Sequence, residues 1–275
     1  MTPTLIFALF ACKDDLVETG ALDSGTPSDT STYAEPLSSF EAGQYRLDEF
    51  SIVSDNKIGF DINGDGEINN KLPAVLNLAT LFIDMPLSPD ELNETIAADL
   101  AKEQIVLLTD LVHVDTTLQV DVLLGSTKSG TLMVDELSYE DGEPHSRFLG
   151  AFTDETNFET VADSAAIPVP IIEGEPPVLI PLKMAQLVGV VDAKTNTGMM
   201  GGAVPIERFM DDVVEQIIPT GDAYDPDEYD GRERDELIEF IEEILGGKGV
   251  ADVTLEDGSP AVSAIVEFHA TATTW

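Results

Sequence analysis

The sequence predicts a mainly β or α+β chain, an antiparallel β-sheet or sandwich with peripheral amphipathic helices. Two observations carry this. Several long stretches alternate apolar and polar residues with period two, and the links between them are short, with few helix crossovers. Four other stretches repeat apolar residues at helical spacing. With 275 residues and 43% hydrophobic composition, the chain can bury a sizeable core.

In order, residues 45–60 read as extended, followed by an acidic loop. Leu72, Val75, Leu76 and Ala79 then fall at helical spacing. Ser88 before Pro89, with Glu91 at the third helical position, is a capping box with proline in its preferred place. Leu92, Ile96 and Leu100 give that helix one apolar face. From Ile105 the period becomes two. Leu118, Val120, Val122 and Leu124 point one way, and Thr117, Gln119 and Asp121 the other. Residues 130–137 read as the neighbouring strand and 146–152 as another. The acid- and proline-rich stretch 153–177 reads as irregular. Residues 178–192 and 198–206 form a hairpin about AKTNT. Pro205 opens a helix carrying Phe209, Met210, Val213, Val214, Ile217 and Ile218. Another helix carries Leu237, Phe240, Ile241, Ile244 and Leu245, and is stopped by Gly246-Gly247. Two strands meeting at EDGSP end the chain, with Val262, Ala264, Val266 and Phe268 on one face.

The first residues are of a different kind. Leu5 to Phe10 is an apolar run too short to span a bilayer, and Ala11-Cys12 follow it. Leu9-Phe10-Ala11-Cys12 resembles the lipobox of bacterial lipoproteins. That resemblance implies residues 1–11 as a signal peptide and an acylated Cys12 as a membrane anchor. The competing readings are an ordinary secretory signal and an uncleaved start. Residues 12–39 are rich in Ser, Thr, Asp, Gly and Pro and read as the lipidated Cys and a flexible acidic tether, with an r.m.s. span of roughly 30 Å. A single β-rich domain, 40–275, follows.

The stretch GFDINGDGEINNKL carries the strongest chemical signal. With Asp61 as position 1 of a twelve-residue calcium loop, Asn63, Asp65, Gly66, Ile68 and Asn69 meet positions 3, 5, 6, 8 and 9. Glu67 would offer its backbone carbonyl. Gly66 permits the bend that turns alternate side chains toward one centre. Position 12 is Leu72 rather than a bidentate Glu. The bland alternative is a Gly/Asn/Asp turn without an ion. The loop is similar to the short DxDxDG calcium loops of extracellular bacterial proteins, dockerin-like or thrombospondin-type-3-like. It also resembles a GFDxDGDGxxDN phrase of uncharacterised bacterial lipoproteins. The resemblance implies Ca²⁺ held by Asp61, Asn63, Asp65, Glu67 and Asn69, and carries over no catalytic residue. A second run, Asp222, Asp225, Asp227 and Asp230, is less regular. It reads as a solvated linker, with a second ion site as the alternative.

Composition excludes some functions. Thirteen Lys and Arg against 53 Asp and Glu give a net charge of −40. Such a surface repels nucleic acid and attracts divalent cations and basic partners. The histidines His113, His145 and His269 are far apart, and none lies in HExxH. There is no G-x-S-x-G elbow, P-loop or dinucleotide glycine pattern. Chance acid pairs among so many carboxylates carry no glycosidase signal.

The expectation is a non-enzymatic, lipid-anchored, calcium-binding cell-envelope protein, placed as an outer-membrane lipoprotein, with a binding or structural role. The alternatives are a periplasmic carrier of a lipid or small apolar ligand, and an extracellular hydrolase.

Overall fold

The computed structural model describes residues 38–80, 88–169, 177–214, 218, 220–221, 224–226, 231–245 and 250–275. These all belong to the second of two compact units, Pro36–Trp275. Cys12 and most of the tether lie outside the described residues, as do Asp222, Asp227 and Asp230.

The strands are β1 (Ala42–Ile52), β2 (Val106–Val114), β3 (Thr117–Lys128), β4 (Thr131–Val134), β5 (Tyr139–Glu140), β6 (Glu143–Pro144), β7 (Ser146–Phe152), β8 (Asn157–Val169), β9 (Val178–Val191), β10 (Thr195–Pro205), β11 (Val253–Thr254) and β12 (Pro260–Ala272). Eight of them form a closed antiparallel ring, in the order β1-β2-β3-β7-β8-β9-β10-β12 and back to β1. The antiparallel β class is as expected; a sheet or sandwich is replaced by an up-and-down barrel. The closing register runs from Tyr45 opposite Ala272 to Ile52 opposite Val266. No local pattern encodes a pairing between residues so far apart in sequence.

Alternation fills the barrel. Leu118, Val120, Val122 and Leu124 point inward, with Leu107 and Leu111 from β2 and Val262, Ala264, Val266 and Phe268 from β12. Phe148 and Phe158 are fully buried among them. Outside, Val106, Leu108 and Leu123 are covered by β4 residues Leu132 and Val134. Ser129-Gly130 joins β3 to β4 with positive φ at both residues, the two-residue turn that matches strand twist.

The ends of the barrel differ. One end carries the short turns at 115–116, 153–156 and 192–194. Phe40 and His113 both pack on Phe152, with ring centroids 5.8 and 4.9 Å apart. His113 Nδ1 lies 2.8 Å from the Phe40 carbonyl, and Ser38 donates to the Glu155 carbonyl at 2.6 Å. The segment 38–41 thus runs from β2 to the β7–β8 turn.

The other end carries the helices. α1 (Leu72–Ala79) and α2 (Pro89–Ala101) lie between β1 and β2 in the chain. The Ser88–Glu91 capping box forms as expected. Asn93 of α2 completes the end of β1, accepting from Ile52 N–H at 2.7 Å and donating to its carbonyl at 2.9 Å. Between β10 and β11 lie α3 (Ile206–Phe209), a π-helical turn (Met210–Val214) and α4 (Arg234–Leu245). Pro205 ends β10 and is the N-cap of α3, so a helix opens there as expected; the chain is helical to Val214, and residues 215–217 of the expected helix lie outside the described residues. Residues 157–169, expected to be irregular, form β8. Val161, 62% exposed, marks its outer face, while Phe158, Thr160, Ile167 and Val169 are buried.

Candidate metal centre

The loop is built on the outer wall. Phe60 and Asn69 pair as an isolated antiparallel bridge, with Asn69 N–H donating to the Phe60 carbonyl at 2.8 Å. Phe60 and Ile62 bury their side chains with Val53, Ala203, Val253, Ala261 and Ile265 in a small second core. Downstream, Asn70 donates to the Val53 and Asp55 carbonyls at 2.8 and 3.2 Å. Lys71 N–H donates to Ser263 Oγ at 2.8 Å, and Ser263 Oγ donates to Asp252 at 2.5 Å. The loop's base is therefore strapped to β12, while its tip reverses through Gly64 and Gly66, at φ +75° and +88°. Both are open around the missing Cβ, so backbone conformation rather than crowding requires glycine.

Within the tip the predicted residues engage one another. Gly66 N–H donates to Asp61 Oδ2 at 2.9 Å. Asp65 N–H donates to Asn63 Oδ1 at 3.2 Å, and Asn63 Nδ2 donates to Asp65 Oδ2 at 2.9 Å. Glu67 N–H donates to Asp65 Oδ1 at 2.8 Å. Asp61 Oδ1 has neither solvent nor a hydrogen-bond partner. A shielded carboxylate oxygen left without a donor is costly, and a water molecule or a cation offsets it. In this respect the residues fit a hard cation that takes oxygen ligands.

Other positions depart from the full pattern. Asn69 is buried, and its Oδ1 accepts from Ile62 N–H at 3.0 Å, so this side chain fixes the backbone. The Glu67 side chain is exposed, and Leu72 is buried in the core at position 12. Ile68, the apolar residue at position 8, is 53% exposed. Among the described residues, no group of three or more His, Cys, Asp or Glu is arranged to hold a metal. An ion here would depend on Asp61 and Asp65, with asparagine, backbone and water oxygens completing its shell. Sequence reasoning missed the strap through Asn70, Lys71, Ser263 and Asp252; no local spacing signals it.

A second polar feature lies inside the barrel. Asn196 and Thr109 are both buried, and Asn196 Oδ1 has no partner. Close by in the chain, Tyr45 donates to the Asp192 carbonyl at 2.6 Å. Burial, and then the Asp192 charge, push the Tyr45 hydroxyl up to about 12. On the outer wall, Asp110 stands opposite Asp121. Arg147 clamps Asp121 through Nε at 2.9 Å and Nη2 at 3.2 Å, and also bonds Glu143. The histidines are apart: His113 is at the aromatic end, His145 is 3.8 Å from Glu140, and His269 is 2.5 Å from Asp48.

No protein-family model matches the chain, and neither a curated protein nor a solved structure matches it.

Proposed function

We propose that the chain is a calcium-stabilised β-barrel module of the bacterial cell envelope, anchored through an acylated Cys12 as an outer-membrane lipoprotein, with a binding or structural role. The observation that carries the calcium part is Asp61 Oδ1, shielded from solvent and without a partner. It lies in a loop that turns on Gly64 and Gly66 and is braced by hydrogen bonds of Asp61, Asn63 and Asp65. The ion's task is to pin the tip and offset its negative charge; Asp61 and Asp65 bind it and perform no chemistry. Without a position-12 carboxylate, affinity falls on the order of 10⁻⁴ to 10⁻³ M, as in extracellular modules.

Calorimetric titration of the protein with calcium tests this. Saturable heat in that range, absent from Asp61→Asn, supports the reading. No heat up to several times 10⁻³ M calcium removes it. The Cys12 anchor rests on the lipobox resemblance and is tested by metabolic labelling with a fatty acid. Label retained by Cys12→Ser would reject it.

A second reading, carriage of a small ligand, draws on the architecture. An eight-stranded barrel is just wide enough for its own side chains or for one small ligand. The unpartnered Asn196 Oδ1 is a hydrogen-bond acceptor facing that interior. Co-purified small molecules, sought by mass spectrometry after denaturation, are the test.

A further inference from the structure

The base of the Asp61 loop carries a second shielded oxygen. Asn70 is 5% exposed, and its Oδ1, like Asp61 Oδ1, has neither solvent nor a hydrogen-bond partner. The orientation of its amide is fixed, because Nδ2 donates to the Val53 and Asp55 carbonyls at 2.8 and 3.2 Å. A flipped amide would set an oxygen against both carbonyls, so the free end is the oxygen.

The register brings the two oxygens onto one face. Phe60 bridges Asn69 antiparallel, so Asp61 falls opposite Ile68 and Asn70 opposite Gly59. These four positions alternate with the bridging pair and share the other face. A Cβ on Gly59 would lie 3.2 Å from Ile68 Cγ2, which is the contact that a shared face gives. Asp61 and Asn70 are thus a diagonal pair, about 7–8 Å apart. Two acceptors cannot satisfy one another, so a group that meets both must be a proton donor or a cation. Among the described residues the only partner of the Asp61 side chain is Gly66 N–H, on Oδ2. A water would meet both oxygens and leave the carboxylate charge in place; a cation meets both and neutralises it.

We propose that Asn70 Oδ1 is the ligand the loop lacks at position 12, and that a divalent cation sits on the base side of Asp61, between Asp61 Oδ1 and Asn70 Oδ1. The proposal rests on the calcium reading above and names a ligand that reading did not. Oxygen-to-ion distances of about 2.3–2.6 Å on each side let one ion span a diagonal gap between two short side chains. Asn70 is the tenth residue counted from Asp61, a position that supplies no ligand in an EF-hand loop. Here it replaces Leu72, which is buried in the core. Coordination through Oδ1 polarises the amide and strengthens the bonds from Nδ2. Val53 N–H in turn donates to the Ile265 carbonyl of β12 at 3.0 Å, so the ion would secure the segment after β1 to the barrel wall as well as the tip.

Two substitutions test this by calorimetric titration of the whole chain with calcium. Asn70→Ala and Asn70→Asp both lose the Nδ2 bonds to Val53 and Asp55, but only Asp keeps an oxygen for the ion. Asn70→Ala should weaken calcium about tenfold. Asn70→Asp, with its added ligand charge, should bind at least as tightly as the wild-type chain. Equal losses in the two variants would show Asn70 serving the backbone alone. Unchanged affinity in Asn70→Ala would show a water on its oxygen instead of the ion. Either result overturns the proposal, and the calcium reading still stands if Asp61→Asn abolishes the heat. No heat from the wild-type chain removes both. A second measurement needs no variant. Mn²⁺, which takes the same oxygen ligands, broadens nearby amide resonances. The Asn70 side-chain amide should be lost at least as early as that of Asn63 at the tip. An Asn70 signal that survives the loss of Asn63 would place the ion at the tip and overturn the proposal.

Discussion

Asn196 Nδ2 donates to Thr109 Oγ1 at 3.2 Å, although β10 and β2 are not neighbours in the wall. The bond crosses the inside of the barrel, past β12 and β1. It is a polar tie among mostly apolar inner side chains, and it leaves Asn196 Oδ1 unpaired. Thr109→Val removes the acceptor and strands a second buried group. It should destabilise by about 1–3 kcal/mol in denaturant unfolding. Adding Asn196→Leu removes the remaining polar atoms and should recover most of that loss. A double variant no more stable than the single would show that the stranded Asn196 amide is not the source of the loss.

Asp110 tests the outer wall. Burial, and then the Asp121 charge opposite, raise its pKa above the ordinary 3.8, against a lowering contribution from Gln44. The folded chain thus holds this proton more tightly than the unfolded one. Stability falls as pH rises from about 4 through the raised value, and then levels. At neutral pH the charged carboxylate is a burden. Asp110→Asn should therefore raise the melting temperature at pH 7 and have little effect below pH 4. Equal effects at both pH values would contradict this assignment.

The Asp61 loop makes a stability prediction separate from the binding heat. With free calcium at ten times its dissociation constant, linkage gives about 1.4 kcal/mol of stabilisation relative to EDTA. Gly66→Ala places a Cβ at φ +88°, costing about 1–2 kcal/mol, and should blunt the calcium effect. Thermal scans in both buffers measure both quantities. An unchanged calcium increment in Gly66→Ala would place the ion elsewhere.

Asn93 is the third lever on stability. Its amide meets both backbone groups of Ile52. Asn93→Ala leaves a buried N–H and C=O unmatched at the end of β1, at a cost of about 1–3 kcal/mol. Asn93→Asp keeps the acceptor for the Ile52 N–H but sets a carboxylate oxygen against the Ile52 carbonyl, so it should cost at least as much. Amide exchange at Ile52 should quicken in the alanine variant and stay slow in the aspartate variant.

How much of this was legible follows the range of each interaction. The capping box at Ser88 and Glu91 is written in four consecutive residues, and it forms. The inward set from Leu118 to Leu124 is a strict alternation, and it is buried. β8 was hidden because Thr160, Ala162 and Ala165 are small or polar where a strand signal needs bulk, and Pro168 reads as a breaker. Closure of β1 on β12 pairs residues more than 200 positions apart, so only the register itself reveals it. The loop showed the same division. The Asp61–Gly66 geometry was visible in its spacing. Asn69's service to Ile62, the strap to Ser263 and the unpaired Asp61 oxygen exist only once the outer wall is assembled.

The pairing of β1 with β12 has a bearing on biosynthesis. Residues 42–52 wait for 260–272 before either can complete its hydrogen bonds. During synthesis no intermediate length of chain can finish the ring, so locking is deferred until that far strand emerges. The finished ring then presents no open strand edge along its seam to neighbouring copies.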